Sequence, residues 1–226
     1  MHIHEHLNPA LQSILLNWTR GYRCWTVTPP LPRTKAESIL QLKWPERYGT
    51  QLPAWKRQDR KARGLPSALS LGAPVVSMPE HIQCFLMATP PALLVPATSP
   101  FAQEAWATRC PELSEYVLIH EPRHDKQYAW TWRLQESTML GLERRLTTLV
   151  STGQGRVLAN ETAQWVRFYC AYGGVRRQLR HLLRSHAKLW EAKYQSGWPG
   201  PDPERLPAQI GFKQDSKRQV ERNPSL

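Results

Sequence analysis

Proline is the residue type that most constrains how this sequence folds. Of its 20 prolines, most lie between residues 29 and 122, and none lies between residues 123 and 198. Proline fixes the backbone φ angle and removes an N–H donor, so it interrupts helices and central strands. We therefore expect short elements joined by rigid turns across residues 29–122.

Four runs of apolar, β-branched and aromatic residues within residues 20–135 predict strands. They cover residues 22–28, 82–89, 116–120 and 128–134. The last two are joined by a polar turn, which predicts an antiparallel pair. Residues 45–80 are interpreted as an exposed connection that has room for one helical turn. Residues 100–110 are expected to form a helix capped by Ser99.

Helical periodicity appears at both ends of the chain. Apolar residues at spacings of 3, 4 and 7 predict a helix over residues 7–19, and Thr34 caps a second predicted helix that ends before Pro45. From Ser137 onward the period is helical again. We predict one helix that ends at the glycines near residue 153 and another, capped by Asn160, that reaches about residue 194 with a break at residues 173–174.

These elements together predict an α+β fold, because a strand-rich N-terminal two-thirds is followed by a helical hairpin, which is not the regular alternation of an α/β fold. A small antiparallel sheet would pack with helices, and the chain would end in a C-terminal helical hairpin and a disordered tail. We assign a single domain to residues 1–197, strand-rich over 20–135 and helical over 136–197. Residues 198–226, rich in proline and charge, are predicted to be flexible.

The charge indicates a polyanionic partner. With 30 Lys and Arg against 18 Asp and Glu, the formal net charge is +12. A field of that sign attracts nucleic acid, anionic membranes or acidic proteins. A membrane is not the expected partner, because no stretch approaches the ~20 apolar residues that span a bilayer. The four cysteines form no C-x-x-C pair, which suggests free thiols, and with no signal peptide visible the expected location is the cytoplasm.

The strongest candidate site is a row of cations on the helix predicted over residues 175–190. The row, here called the stripe, has spacings of 3, 4 and 4, with His181 among its members and Arg176 to one side. The stripe consists of Arg177, Arg180, Arg184 and Lys188. The opposite face carries Val175, Leu179, Leu182, His186 and Leu189.

The sequence offers little local charge to neutralise the stripe. No acid occurs between residues 175 and 190, and Glu191 lies near Lys188 only. Stacked like charges repel one another, and phosphates would relieve that repulsion. The stripe therefore predicts nucleic-acid binding. The alternative is a solvated helix face, or arginines that pair with carboxylates from elsewhere in the fold.

A second basic run is the other candidate binding segment. It contains Lys56, Arg57, Arg60, Lys61 and Arg63. Trp55, which precedes it, would either stack on a base or anchor the segment to the core.

Other patterns have weaker chemical interpretations. His120 and His124, with Asp125 beside them, have a metal-binding spacing only if they are helical, and Pro122 places them in a turn instead. One of them could act as a general acid or base. His2 and His4 match a loose nuclease metal pattern. The glycines at 153 and 155 could face a phosphate, and Trp130 and Trp132 could stack on bases. We assign no catalytic residue, metal or cofactor.

The predicted function is therefore non-enzymatic, sequence-tolerant nucleic-acid binding by an accessory or regulatory protein. DNA and RNA are not distinguished. One alternative is a protein-interaction subunit that docks an acidic partner, which an apolar patch beside the stripe would favour. The other is a nucleic-acid-processing enzyme, which a cleft joining His120, His124 or Asp125 to the basic helix would favour.

Overall fold

The computed structural model describes residues 2–122 and 127–207. Contacts divide the chain into two compact units, the first ending at Thr108 and the second beginning at Arg109. We call them unit 1 and unit 2 and describe each by itself. Both combine helices with a small sheet, which confirms the predicted α+β class. The assignment of one domain to residues 1–197 stays a prediction.

Unit 1 is built on a five-stranded sheet with short helices around it. Its strands are β1 (His2–Ile3), β2 (Cys24–Val27), β3 (Leu31–Pro32), β4 (Ala68–Val75) and β5 (Met78–Ala88). Its α-helices are α1 (Leu7–Thr19), α2 (Arg33–Ser38), α3 (Trp44–Tyr48) and α4 (Ala54–Ala62). The strand order is β1-β4-β5-β2, with β3 also paired to β5. The pairs are antiparallel except β1 with β4, which is parallel.

The β4–β5 hairpin forms the centre of this sheet, although the sequence predicted only β5. Helix α1 packs on β4 and buries Leu11 and Ile14 completely, as its apolar spacing predicts. Gly72 on β4 makes room for the side chains around it, because an added Cβ would lie about 3.0 Å from the side chain of Ile82 on β5. Pro74, which lacks an N–H donor, stands where the β4–β5 register shifts.

The helical segment after β3 is longer than predicted. It was expected to end before Pro45, yet α2 continues through a π-helical turn (Ile39–Lys43) into α3. A proline ring normally clashes with the carbonyl four residues earlier, and the wider π turn just before Pro45 relieves that clash. The segment ends at Gly49, whose φ of 66° suits glycine.

The helix predicted over residues 100–110 is wrong. Ser99 does cap a helix, accepting a hydrogen bond from the Phe101 N–H, but only a single 3-10 turn (Pro100–Gln103) forms. The backbone then extends, because Ala107 pairs with Trp25 in an isolated β-bridge. This long-range pairing replaces the predicted helix.

Unit 2 joins a three-stranded antiparallel sheet to three helices. The elements are β6 (Glu112–Leu113), β7 (Tyr116–Pro122), β8 (Tyr128–Leu134), α5 (Glu136–Ser151), α6 (Gly155–Tyr169) and α7 (Gly173–Tyr194). The antiparallel β7–β8 pair is confirmed, with Leu118 opposite Trp132 and both fully buried. The expected helical hairpin contains three helices, since the chain breaks at residues 170–172. Helix α6 begins at Gly155, so Asn160 lies inside it and is not its cap.

Part of the predicted tail packs against unit 2. Residues 203–205 form a 3-10 turn that contacts α7, and Leu206 is 7% exposed. The expectation that residues 198–226 are flexible stays a prediction, and residues 208–226 lie outside the described residues. Within the described ranges, no helix is both long and apolar enough to cross a membrane.

Candidate nucleic-acid interface

Helix α7 is fixed to the exposed edge of β8 by two residues. The Gln178 side-chain amide binds both polar groups of the Leu134 backbone, accepting from its N–H (2.8 Å) and donating to its carbonyl (3.0 Å). Gly174 donates its N–H to the Thr131 hydroxyl at 3.1 Å. An edge strand presents unpaired backbone groups, and α7 satisfies those of Leu134. The position of α7 is thus determined by β8.

The buried face of α7 matches the predicted face with one correction. Val175, Leu179, Leu182 and His186 are buried, whereas Leu189 is 55% exposed. The His186 ring is hydrogen-bonded through Nε2 to the Thr147 hydroxyl (3.0 Å) and through Nδ1 to the Leu182 carbonyl (2.9 Å). A buried histidine satisfied on both nitrogens has a structural role.

The stripe lies on α7, and two of its members pair with carboxylates that are distant in sequence. Arg177 forms an ion pair with Glu121 on β7. Arg184 donates from Nε to the carboxylate of Glu204 at 2.7 Å. The prediction that the stripe lacks counter-charges is correct locally, but tertiary contacts supply two of them. This is the alternative that the sequence left open.

The other cations of this region keep their charge. Arg180 donates to the Pro203 carbonyl (3.2 Å) and Arg176 to the Pro207 carbonyl (3.3 Å), both neutral acceptors. His181 and Lys188 are exposed. The structure therefore places all six residues on one helix, but two of the four stripe cations are neutralised.

The second basic run forms a helix, α4, where the sequence predicted an exposed connection. All nine residues of α4 are exposed or half-buried. Its residues have good helix propensity, but they show no apolar periodicity, which is why pattern analysis did not identify the helix. Helix α4 is thus a surface helix that carries most of the basic run.

Three half-buried cations hold α4 against the rest of unit 1 through neutral groups. Arg57 donates to the Leu52 carbonyl, and Arg60 donates to the Pro66 carbonyl at 2.7 Å. Lys61 donates to the Arg20 carbonyl at 3.0 Å, and its Nζ lies 4.0 Å from the centre of the Tyr22 ring. These contacts orient the side chains without cancelling their charge.

The remaining residues of the run face solvent. Lys56 and Arg63 are exposed, and Arg63 lies 3.5 Å from Asp59, the one acid in the helix sequence, in a pair exposed on both sides. Exposed pairs of this kind contribute little to stability, and the Arg184–Glu204 pair of α7 is exposed on both sides as well. Trp55 is 67% exposed, with the Lys56 Nζ 5.3 Å from its ring centre, so it does not anchor the segment to the core.

Unit 2 contains a cleft of about 640 Å³ beside α7. Its lining includes Glu121, Arg177 and His181 but not His120. Successive strand residues point to opposite faces of the sheet, so Glu121 lines the cleft while His120 lies on the other side. His124 and Asp125 fall outside the described residues. The cleft thus does not join His120 to the basic helix. A cleft that joined them is the arrangement that would have favoured an enzyme.

An exposed stack of rings lies on that other face of the β7–β8 hairpin. The ring centres of His120 and Trp130 are 4.6 Å apart, and those of His120 and Tyr128 are 5.4 Å apart. Tyr128 is 65% exposed, while Trp132 is fully buried. The sequence paired Trp130 with Trp132 as candidates. Strand alternation, read outward from the core, would have identified Tyr128 and His120 instead.

The remaining sequence patterns have structural explanations. Residues 2–3 form strand β1, which pairs with β4. Gly153 and Gly155 lie against the rings of Tyr194 and Trp190, which accounts for the small residues there. Among described side chains, no group of three or more His, Cys, Asp or Glu is arranged to hold a metal.

The cysteines are free thiols, and most are buried. Burial raises the pKa of Cys84, in unit 1, to about 11, and burial likewise raises the pKa of Cys170, in unit 2, to about 11. Because the thiolate is the reactive form, both are unreactive while folded.

Comparison with protein-family models, with curated proteins and with solved structures finds no match to this chain.

Proposed function

We propose that this chain binds nucleic acid as a non-enzymatic, sequence-tolerant accessory or regulatory protein, with α4 as its principal phosphate-binding surface. The observation that carries the proposal is the environment of the basic run. Its five cations face one acid, Asp59, and three of them bind only neutral carbonyls in the described contacts. Such charges remain available to a polyanion.

The arrangement suits phosphate contacts better than base recognition. Arginine and lysine neutralise phosphates and release condensed counterions, which gives affinity that falls steeply with salt. Arg57, Arg60 and Lys61 are held in position by their carbonyl contacts, so little side-chain entropy is lost on binding. Trp55, exposed at the start of α4, offers a ring for a base.

The cations of α7 would have a secondary role. Arg176, Arg180 and Lys188 retain positive charge, but Arg177 and Arg184 would have to exchange a carboxylate for a phosphate. We therefore expect their substitution to change the salt dependence less, per residue, than substitution on α4.

Fluorescence anisotropy with labelled single- and double-stranded DNA and RNA, at about 50 to 200 mM salt, tests the proposal. The α4 variant is Lys56→Gln with Arg63→Gln, because both side chains are exposed and neither anchors the helix. If both contact phosphates of a B-form duplex, the slope of log affinity against log salt falls by up to ~1.8.

The matched control is Lys35→Gln with Lys43→Gln, which removes two exposed cations from the same unit outside α4. A third variant carries Gln at Arg177, Arg180, Arg184 and Lys188. Absence of binding at 50 mM salt would refute nucleic-acid binding altogether. Equal slopes for the α4 variant and its control would refute the role of α4.

Docking of an acidic partner protein is a second candidate, favoured by one observation. An apolar groove of about 410 Å³ runs between α5 and α7, lined by Val150, Leu189 and Ala192 with Lys193 at its edge. Leu189→Asp distinguishes the two functions. It would abolish docking of a partner in this groove, whereas it would leave nucleic-acid binding by α4 unchanged.

A further inference from the structure

One face of the β7–β8 hairpin runs from the core of unit 2 into solvent. Tyr116 and Leu134 form a cross-strand pair on this face, and Leu118 and Trp132 form the next, all of them buried. Two further pairs continue the same face outward. They are His120 with Trp130 and Pro122 with Tyr128.

The outward pairs hold three rings in contact. His120 and Trp130 are stacked, with an angle of 21° between their planes, and Tyr128 is tilted by 46° against His120. The order along the face is Trp130, His120, Tyr128, from the half-buried side to the exposed side. The stack thus ends in Tyr128, which is open to solvent over 65% of its surface.

We infer that His120, Tyr128 and Trp130, here called the ring platform, form a stacking site for the unpaired bases of single-stranded nucleic acid. The inference rests on the proposed function and adds a second site, in unit 2, together with a strand preference. Aromatic side chains bind bases through their π faces, and any base can stack. Bases of a duplex are already stacked on their neighbours, so they cannot reach the platform without being extruded.

The charge of the chain favours a nucleic acid over an apolar occupant. With 30 Lys and Arg against 18 Asp and Glu, the net charge is +12, and a field of that sign attracts a polyanion whose unpaired bases then reach the platform.

The platform separates stacking from charge, so an oligonucleotide without bases tests it. Binding of a single-stranded oligonucleotide is compared with that of an abasic oligonucleotide of equal length, which keeps every phosphate. In Tyr128→Ala, affinity for the base-bearing strand is expected to fall about tenfold, as for loss of one stacked base. Affinity for the abasic strand, affinity for a duplex and the salt slope are expected to stay as in the wild type.

Two variants control for effects on folding and hydrophobicity. Tyr128→Phe keeps the ring and is expected to retain binding. Phe168→Ala removes another exposed ring of unit 2, 62% exposed on α6, and is expected to have no effect. An equal loss on the abasic strand, or no loss on either strand, would overturn the platform while leaving α4 as the binding surface. Absence of wild-type binding to every nucleic acid would overturn the proposed function as well.

Discussion

Helices α4 and α7 carry similar rows of cations, but the contacts of the two rows differ. On α7, Arg177 and Arg184 pair with Glu121 and Glu204, and the helix is held to β8 by Gly174 and Gln178. On α4, the half-buried cations bind backbone carbonyls instead. Carbonyl contacts orient a cation, whereas carboxylate contacts also neutralise it. Whether the cations of a basic helix are available to phosphate therefore depends on the groups that accept their hydrogen bonds rather than on the number of cations.

The comparison also separates a helix that is part of the core from one that lies only on the surface. Helix α7 buries Val175, Leu179 and Trp190 among others, so its sequence has to satisfy the core of unit 2. Helix α4 has no buried residue, since each of its residues is exposed or half-buried, so its sequence does not have to fit a core. Substitutions on the buried face of α7 should therefore change the stability of unit 2, and those on α4 should change the affinity for nucleic acid.

The largest expected effect is that of Gly174→Ala on the stability of unit 2. A Cβ at this position would lie 2.4 Å from the backbone oxygen of Trp132, which cannot move without displacing β8. We expect the free energy of unfolding of unit 2 to fall by about 1 to 3 kcal/mol. Chemical denaturation, followed through the labelling of Cys170 for unit 2 and Cys84 for unit 1, measures the change.

The neighbouring glycine provides the matched control for this prediction. A Cβ on Gly173 would come no closer than 3.7 Å to Arg177 Nη1, so Gly173→Ala should be neutral or slightly stabilising. Gln58→Ala, on the exposed surface of α4, should also be neutral. Early exposure of Cys84 in Gly174→Ala, or equal stability of the two alanine variants, would contradict a docking contact confined to unit 2.

Elements with a strong local pattern were predictable from the sequence. The apolar spacing of α1 and the alternation along β8 determine which of their faces is buried. Strand β4 was missed because Gly72 and Pro74 are typical of turns. Its glycine is explained only by the closeness of Ile82 and its proline only by the register shift against β5.

The candidate sites were less predictable, because their character depends on contacts between distant residues. Glu121 and Arg177 are far apart in sequence, as are Lys61 and the Arg20 carbonyl. No local pattern indicates whether a cation meets a carboxylate or a carbonyl. The ring platform was closer to prediction, since pairing of β7 with β8 was expected. What was missing was the register, which decides which residues of the two strands share a face.

The next largest effect is expected from variants that remove the carboxylate partners of two cations on α7, so that these cations resemble those of α4. Glu204→Gln frees Arg184, and Glu121→Gln frees Arg177, so each variant should bind nucleic acid several-fold more tightly. Each freed arginine that contacts a phosphate of B-form DNA adds ~0.9 to the slope of log affinity against log salt. Anisotropy titrations over the same salt range measure both quantities.

Glu143→Gln is the control for the freed arginines, because Glu143 is exposed on α5 and removing it changes the net charge by the same amount. A similar gain in this variant would mean that net charge alone governs affinity. An unchanged slope in Glu204→Gln would mean that the stripe does not contact phosphate in either state.

The smallest expected effect concerns an exposed ion pair that links two helices of unit 2 and has no counterpart on α4. Arg145 on α5 donates from Nε to Glu161 on α6 at 2.9 Å, and this hydrogen bond lowers the pKa of the Glu161 carboxyl. A carboxyl whose pKa is lower in the folded state stabilises the fold above its unfolded pKa, and this stabilisation is lost as pH falls through the folded pKa. Glu161→Gln should therefore be slightly less stable than the wild type near neutral pH, and the two should converge in acid. Denaturation of unit 2 at several pH values, followed through Cys170, measures the difference. A gap that persists in acid would show that Glu161 contributes through packing on α6 rather than through its charge.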